Sequence, residues 1–324
     1  MKTLSLIPFV IGLIGFDVCQ KESPEVWKFG PEYIFRVGVN LSLTDPQTNK
    51  LMCSNVTIGL KCRPFSIKED ERTDALQCHV REAELHNYEM DNASPRKIIE
   101  SEPKGPMLDI IDDKFEIIYE KRGIKALKIP SSVSEAKLNM FRSIASHLNF
   151  GFDKFDKGGE RFAFVEVVGP ENSTIGECET TFEVSKQIKF KSVRWDSKCG
   201  DKLHIETFAY GDKSPMIAMD KTRNINKCTK KSPYMFGAVQ EAKNRPPVLN
   251  ITMVSSVTTF VVAPYGFQSH SQNIATVDFE KNKGNSYENI DLYLESIEPA
   301  ADEFKRIPSP VTATLFANDP ARKE

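Results

Sequence analysis

The sequence predicts a mainly β protein, in which a large antiparallel sheet closes into a barrel around one central helix. Apolar and polar residues alternate with period two over several long stretches, as in strands that bury one face. One segment instead follows the 3.6-residue period of an amphipathic helix. With 324 residues, 40% of them hydrophobic and 27% charged, the chain has an ordinary globular composition and can bury a sizeable core.

The alternation is clearest near the start of the chain. In YIFRVGVNLSL the odd positions are all apolar, namely Tyr33, Phe35, Val37, Val39, Leu41 and Leu43. NVTIGLKCR and ALQCHVR repeat the pattern on their even positions. Further strands are predicted at residues 115–119, 162–168, 182–195, 203–210, 248–262, 274–279 and 290–297. A sheet of this size hides its edges best by closing on itself.

The helical segment is SEAKLNMFRSIASHLNF, residues 134–150. Its apolar stripe consists of Leu138, Phe141, Ile144, Ala145 and Leu148. Ser132 and Glu135 fit a capping box at its start, and Gly151 can end it. A closed sheet of many strands leaves a lumen wider than side chains fill, so we expect this helix to lie inside it. The alternative is a helix on a membrane or lipoprotein surface, but its polar face carries few basic groups.

The N-terminus predicts secretion. Residues 1–19 combine one lysine with an apolar run too short to span a bilayer, as in a signal peptide cleaved after Gly15 or Cys19. A buried N-terminal element is the alternative. No later stretch is apolar enough to predict a transmembrane segment. Predicted glycosylation sites agree with secretion and lie at Asn40, Asn55, Asn172 and Asn250.

Cysteine usage agrees with an oxidising compartment. Removal of Cys19 with the signal leaves an even set, Cys53, Cys62, Cys78, Cys178, Cys199 and Cys228, which is typical of disulfides. Cys62 and Cys78 fall on the apolar faces of two strands that can form a hairpin, where a shared register would place them opposite each other. Two unpaired thiols in the core are the alternative.

Neither composition nor motifs point to catalysis, metal or nucleic acid. The net charge of −2 gives no basic excess. There is no nucleophile elbow, HExxH or P-loop string. The histidines show no metal-ligand spacing, and His147 stands near the helix end, where a cation suits the helix dipole. We expect no enzyme activity, no metal and no cofactor.

Five stretches in a fixed order carry a family resemblance. They are EVWKFGPEYIFRVGVNLSL, FEIIYEKRGIKALKIP with LNMFRSIASHLNF, IGECETTFEVSKQ with WDSKC, MDKTRNINKC, and FVVAPYGFQSHSQN. Together they resemble the start of vitellogenin and of the wider large lipid transfer proteins. The resemblance implies the family's N-terminal β-barrel, about eleven strands around a central helix, over residues 24–298, with a polar C-terminal tail at 299–324. It also implies a disulfide between Cys178 and Cys199, which leaves the pairing of Cys53 and Cys228 open.

The sequence departs from the family in length. A vitellogenin continues into a helical domain and further sheets that enclose lipid, whereas this sequence ends at Glu324 without a polyserine tract. Either a complete short homologue or a truncated product fits, and the polar end favours the former. Lipid is the one candidate bound molecule, with reduced capacity, because the central helix competes with it for the lumen.

The resemblance also implies a receptor-binding segment. In the family, a KTKxL-like stretch of this barrel is proposed to contact uptake receptors. The matching residues here are Lys221, Thr222, Arg223, Asn224 and Ile225, followed by Lys227, Lys230 and Lys231. As a basic loop, they would complement the clustered carboxylates of a lipoprotein-receptor-type protein. A solvated charge run is the alternative. The predicted function is thus recognition or limited lipid binding, and the second candidate is a stand-alone immune or regulatory binding protein without lipid cargo.

Overall fold

The computed structural model describes residues 28–45, 48, 50–66, 74–91, 94–101, 109–120, 123–151, 164–187, 216–232, 234–236, 250–263, 266–279, 282–319 and 321. These residues form one antiparallel sheet and one α-helix. The strands are β1 Pro31–Thr44, β2 Lys50–Ser66, β3 Asp74–Asp91, β4 Ser94–Ser101, β5 Lys114–Glu120, β6 Gly123–Ile129, β7 Phe164–Ser173, β8 Gly176–Gln187, β9 Met216–Lys231, β10 Asn250–Ala263, β11 Gly266–Phe279, β12 Asn282–Pro299 and β13 Val311–Ala313. The helix, α1, spans Glu135–Ser146 between β6 and β7.

The strands follow the order β13-β6-β5-β3-β2-β1-β12-β11-β10-β9-β8-β7, with β4 beside β3. Antiparallel hairpins therefore extend the sheet in both directions from the central pair β1 and β12. Within the described residues, β13 and β7 end the path and do not pair with each other. The prediction of a mainly antiparallel β protein is confirmed, whereas closure into a barrel is not.

The period-two pattern sets the register of the sheet. Val37 of β1 lies opposite Ile58 of β2 and Leu292 of β12, and all three side chains are buried. The predicted strands at 115–119, 248–262, 274–279 and 290–297 lie almost wholly within β5, β10, β11 and β12. Residues 162–163, 188–195, 203–210 and 248–249 are outside the described part. Strands β4, β6, β9 and β13 were not predicted. In β9, charged residues occupy inward positions, and the segment was interpreted as a basic loop.

Helix α1 starts two residues later than the capping-box prediction. Ser134, not Ser132, is the N-cap, and its hydroxyl accepts from the Lys137 amide at 3.4 Å. Glu135 cannot complete a capping box, because it directly follows the N-cap and the N3 position is Lys137. Its carboxylate pairs instead with Arg142 at 2.6 Å. The helix ends at His147, well before Gly151, whose φ of +67° instead serves the loop that follows.

The sheet curves around this helix. Leu138, Phe141, Ile144 and Leu148 are all buried in the main core. The Phe141 ring stacks on Phe115 of β5 at 4.7 Å, and the His147 ring contacts Ser269 of β11 at 3.0 Å. Strands β5 and β11 are far apart in the sheet order, so a helix that touches both lies within the curve of the sheet. The apolar stripe of α1 therefore belongs to the core of the fold.

The first hairpin contains a disulfide. Cys62 and Cys78 lie directly opposite each other in the register of β2 and β3, and their sulfurs are bonded. Both residues are fully buried, as their apolar-face positions require.

The segment after residue 299 is part of the sheet rather than a separate polar tail. Strand β13 pairs with β6, and Ile307, Leu315 and Ala317 are buried. The Ala317 amide donates to the Thr174 carbonyl at 3.1 Å, next to β7. This segment therefore reaches from one end of the strand order to the other.

Among the described residues there is no helix long and apolar enough to cross a membrane.

Candidate functional site

The predicted receptor-binding residues lie on a strand, β9, and not on a loop. Period-two alternation places Lys221 and Arg223 on the same inward face as Ile217 and Met219, and they are only 0% and 8% exposed. Thr222, Asn224, Lys227, Lys230 and Lys231 are exposed. The prediction that all of these side chains form one accessible basic loop is therefore wrong for Lys221 and Arg223.

Lys221 and Arg223 share a buried carboxylate. Glu171 of β7 lies 2.7 Å from Lys221 Nζ through Oε1 and 3.0 Å from Arg223 Nε through Oε2. Lys221 also donates to the Asn149 carbonyl at 2.5 Å, just beyond α1. A buried ion needs such partners, since removal from water costs several kcal/mol per charge. Sequence reasoning missed Glu171, because nothing in the sequence links it to a strand fifty residues later.

The pKa values of this cluster follow from burial and from mutual charge. Burial lowers the pKa of Lys221 to about 8, although Glu171 opposes that shift. Burial alone would raise the pKa of Glu171, but Arg223 and Lys221 hold it below its ordinary value. At neutral pH, therefore, Lys221 is mainly protonated and Glu171 is ionised.

Hydroxyl groups surround the remaining donors of Arg223. Its Nη1 donates to Ser256 and to Thr258, both on β10 and both at 3.0 Å. The Arg223 guanidinium is thus fixed between Glu171 and two neutral acceptors. The inward face of β9 and β10 is polar around Arg223, whereas it is apolar at Met219 and Phe260.

His147 extends the polar cluster to the end of the helix. Its Nδ1 lies 3.0 Å from Ser269 Oγ and its Nε2 lies 2.9 Å from Ser271 Oγ, both on β11. Burial, with the nearby charges of His270, Arg223 and Lys221, lowers the pKa of His147 to about 3. The ring is therefore neutral at pH 7, and the expectation of a cation at the helix end is wrong.

The outer half of β9 contains a bulge of three residues. Glu179 of β8 lies opposite Asn224, whereas the preceding residue, Cys178, lies opposite Cys228. Residues 225–227 are thus extra on β9 and have no opposite residue on β8. Bulges re-aim side chains in this way and are frequent beside functional sites. Asn226 and Lys227 are exposed at the bulge.

A disulfide closes the base of the bulge. Cys178 is bonded to Cys228, its cross-strand neighbour, so the pairing of Cys178 with Cys199 implied by the resemblance is wrong. The partner of Cys228, which the sequence left open, is therefore Cys178, and Cys228 does not pair with Cys53. Cys53 is itself disulfide-bonded. Cys199 is outside the described residues.

Within the described residues, the exposed lysines make their contacts at the surface. Lys227 pairs with Glu179 at 2.7 Å. Lys230 lies 4.0 Å from the Phe316 ring centroid and 3.7 Å from an oxygen of Asp319, both in the C-terminal segment. Pairs of this kind contribute little to stability, so these ammonium groups can exchange partners readily. We call Lys227, Lys230 and Lys231 the outer basic surface.

The predicted glycosylation sites differ in accessibility. Asn172, at the end of β7, is exposed. Asn40 is only 7% exposed and lies between Asn55 and Asn289 on neighbouring strands, which leaves no room for a glycan. Asn55 is half-buried, and the side chain of Asn250 is outside the description. The glycan predicted at Asn40 therefore does not fit this fold.

In the described part of the chain, no group of three or more histidine, cysteine or acidic side chains is placed to hold a metal ion.

Two comparisons with known proteins, one of sequence and one of fold, point to the same family. The sequence profile of the vitellogenin N-terminal domain matches residues 54–300. The fold is similar to that of a solved structure of lipid–protein interactions in lipovitellin, with a TM-score of 0.54 and 13% identity. That similarity covers 86% of this chain but only 26% of the lipovitellin chain. At 13% identity, it is evidence for the fold alone. No individual curated protein sequence matches the chain. Because the profile covers most of the chain, from β2 to the end of β12, this protein belongs to the vitellogenin N-terminal domain family.

Proposed function

We propose that this chain is a secreted, non-catalytic binding module that recognises a lipoprotein-receptor-type protein through the outer basic surface. The observation that carries the proposal is the bulge of β9, where Lys227 is exposed next to the disulfide-bonded Cys228. A rigid strand that presents several ammonium groups suits a partner with clustered carboxylates. Thr222 and Asn224, exposed on the same strand, add neutral hydrogen-bonding groups to the contact.

In this proposal, the receptor contacts only part of the motif, because two of its basic residues are buried. Lys221 and Arg223 face inward and are engaged by Glu171, so neither can reach a partner without unfolding the cluster. Their role in the proposal is to fix the position of β9. The exposed lysines supply the charge that a receptor meets.

The test is a binding measurement with a purified acidic receptor module. We expect the triple variant Lys227→Glu, Lys230→Glu and Lys231→Glu to lose affinity by about tenfold or more, with a weaker salt dependence. The matched control reverses three other exposed cations, Arg81, Lys114 and Lys125 on β3, β5 and β6. Both variants change the net charge equally. Equal losses in the two variants would show that overall charge, not this surface, governs binding.

A second candidate function is limited lipid binding, favoured by the lipovitellin-like fold. Helix α1 opposes it, because Phe141 and Ile144 already fill space within the curve of the sheet. Native mass spectrometry with lipid extraction from one purified sample separates the two functions. Stoichiometric lipid would favour transport, and a lipid-free protein would favour recognition.

Secretion is tested through glycosylation. Expression in secretory cells should give a glycoprotein in the medium, and Asn172→Gln should remove one glycan mass. Asn40→Gln should leave the mass of the glycan unchanged, because Asn40 is buried. A chain retained in the cell without any glycan would contradict the extracellular assignment.

A further inference from the structure

Strand β7 is the edge strand at one end of the sheet. Of the described strands it pairs with β8 alone, so one side of its backbone has no strand partner in that part of the chain. Such an edge offers a row of N–H and C=O groups to which another extended chain can bond. Pro170 lacks an N–H group, so residues 164–169 are the part of the edge that can form an uninterrupted ladder.

The side chains of residues 164–169 alternate between the core and solvent. Val165 and Val167 are half-buried, and Val167 packs against the main core. Phe164 and Val168 lie on the opposite, outer face and are 58% and 52% exposed. Natural proteins usually protect an edge strand with charged side chains, whereas this one presents two large apolar side chains on one face. They favour a contact surface at this edge.

Glu166 lies between these two apolar residues and begins a row of carboxylates. It is directly opposite Glu183 of β8, which is in turn opposite Asp220 of β9. We call Glu166, Glu183 and Asp220 the acidic row. The Thr259 hydroxyl donates to Asp220 at 2.5 Å, but no cation of the described residues forms an ion pair with the row. Like charges directly opposite each other destabilise a sheet, so a cation placed on the open side of Glu166 would offset that cost.

The spacing of these groups specifies the chemistry of an added strand. Directly opposite side chains on neighbouring strands lie on the same face, about 5 Å apart. An added strand therefore places one side chain beside Glu166, and the side chains two positions away beside Phe164 and Val168. The first must be basic and the other two apolar to complement this edge. A second copy of β7 does not fit, because antiparallel pairing of Phe164 with Val168 sets Glu166 against Glu166.

We propose that residues 164–169 are a docking edge for an extended protein segment in which one basic residue stands between two apolar residues on the same face. The bound segment continues the sheet beyond β7. Main-chain hydrogen bonds supply affinity, and the Glu166 carboxylate selects the basic residue. This edge is distinct from the outer basic surface, and it takes a partner segment of the opposite charge. The proposal does not depend on receptor binding by the exposed lysines.

Binding of two short capped peptides to the whole chain tests the proposal. The first has seven residues, with Val at its second and sixth positions, Lys at its fourth and Thr elsewhere, and the second has Glu in place of Lys. Fluorescence anisotropy of the labelled peptides should show about fivefold tighter binding of the Lys peptide, a preference that salt weakens. Glu166→Lys should reverse the preference. Glu84→Lys, at an exposed site on β3, changes the net charge equally and should keep it.

Hydrogen exchange locates the binding site. In the free protein, the amides of residues 164–169 that point away from β8 should exchange rapidly, and the Lys peptide should slow their exchange. Slow exchange without peptide would mean that another part of the chain covers this edge, and it would overturn the proposal. No measurable binding, equal affinities for the two peptides, or a homodimer joined through β7 would overturn it as well.

Discussion

The two halves of β9 use the same residue types for opposite purposes. In the first half, Lys221 and Arg223 point inward, are buried and share Glu171. In the second half, Lys227, Lys230 and Lys231 are exposed, and their contacts are with surface groups. The bulge at residues 225–227 separates the halves. A basic run in a sequence is therefore not one feature, because the register decides which cations meet water.

The difference has an energetic meaning. A buried pair is costly to break, because the remaining charge is left without water or a partner. An exposed pair gives up little, because solvent replaces the partner. The first half of β9 should thus govern stability and the second half binding.

Replacement of the shared carboxylate should have the largest effect. Glu171→Gln leaves Lys221 and Arg223 without their counter-charge, and we expect a loss of about 4 kcal/mol in the free energy of unfolding. Glu179→Gln is the matched control, because it removes the partner of the exposed Lys227, at a cost of about 0.5 kcal/mol or less. Denaturant titration measures both. Similar losses in the two variants would remove the distinction between the halves.

Removal of the disulfide beside the bulge should come next. Cys178→Ala with Cys228→Ala opens a loop with a sequence separation of 50, whereas the Cys62–Cys78 bond closes one of 16. Loop entropy then predicts a loss of up to about 4 kcal/mol, roughly 1 kcal/mol more than removal of Cys62–Cys78. Thermal and denaturant unfolding under non-reducing conditions provide the comparison. A negligible loss would mean that the strand ladder alone fixes the base of the bulge.

The pH dependence of stability should show that the buried His147 is neutral in the folded protein. Below pH 6.5 the unfolded chain binds a proton at His147, while the folded chain, with a pKa of about 3, does not. Falling pH therefore favours unfolding between pH 6.5 and pH 3, by about 2 kcal/mol at pH 5.

The variant His147→Gln isolates this contribution, because the amide can still bond to Ser269 and Ser271 but does not titrate. Its free energy of unfolding should vary less between pH 8 and pH 5 than that of the wild type. Other titrating groups are common to both proteins and cancel in the difference. Identical pH profiles would mean that His147 is not held neutral.

The sequence was sufficient to predict the fold where neighbours along the chain carry the information. Alternation located β1, β2 and β3, and it placed Cys62 and Cys78 on facing strands. Helical spacing identified the buried stripe of α1. Each of these features depends on contacts whose pattern repeats every two or four residues.

The candidate site was predicted only in part, because it depends on tertiary partners. Lys221 and Arg223 occupy the inward parity set by Ile217 and Met219, and that signal was outweighed by the expectation that charged residues face water. Glu171 stabilises these two buried cations, but no local sequence pattern identifies Glu171 as their partner. The pairing of Cys178 with Cys228 depends on a bulge that shifts the register, which alternation cannot reveal.

The smallest effect expected is the coupling between Lys227 and Glu179. These side chains lie 2.7 Å apart, but both are well exposed, at 61% and 39%. A double-mutant cycle with Lys227→Met and Glu179→Gln should give a coupling energy of about 0.5 kcal/mol or less, and 1 M salt should abolish it. Such weak coupling is what a binding surface requires, because a lysine firmly held by its own chain cannot pair with a partner's carboxylate. A coupling of several kcal/mol would instead assign Lys227 to the structural half of β9.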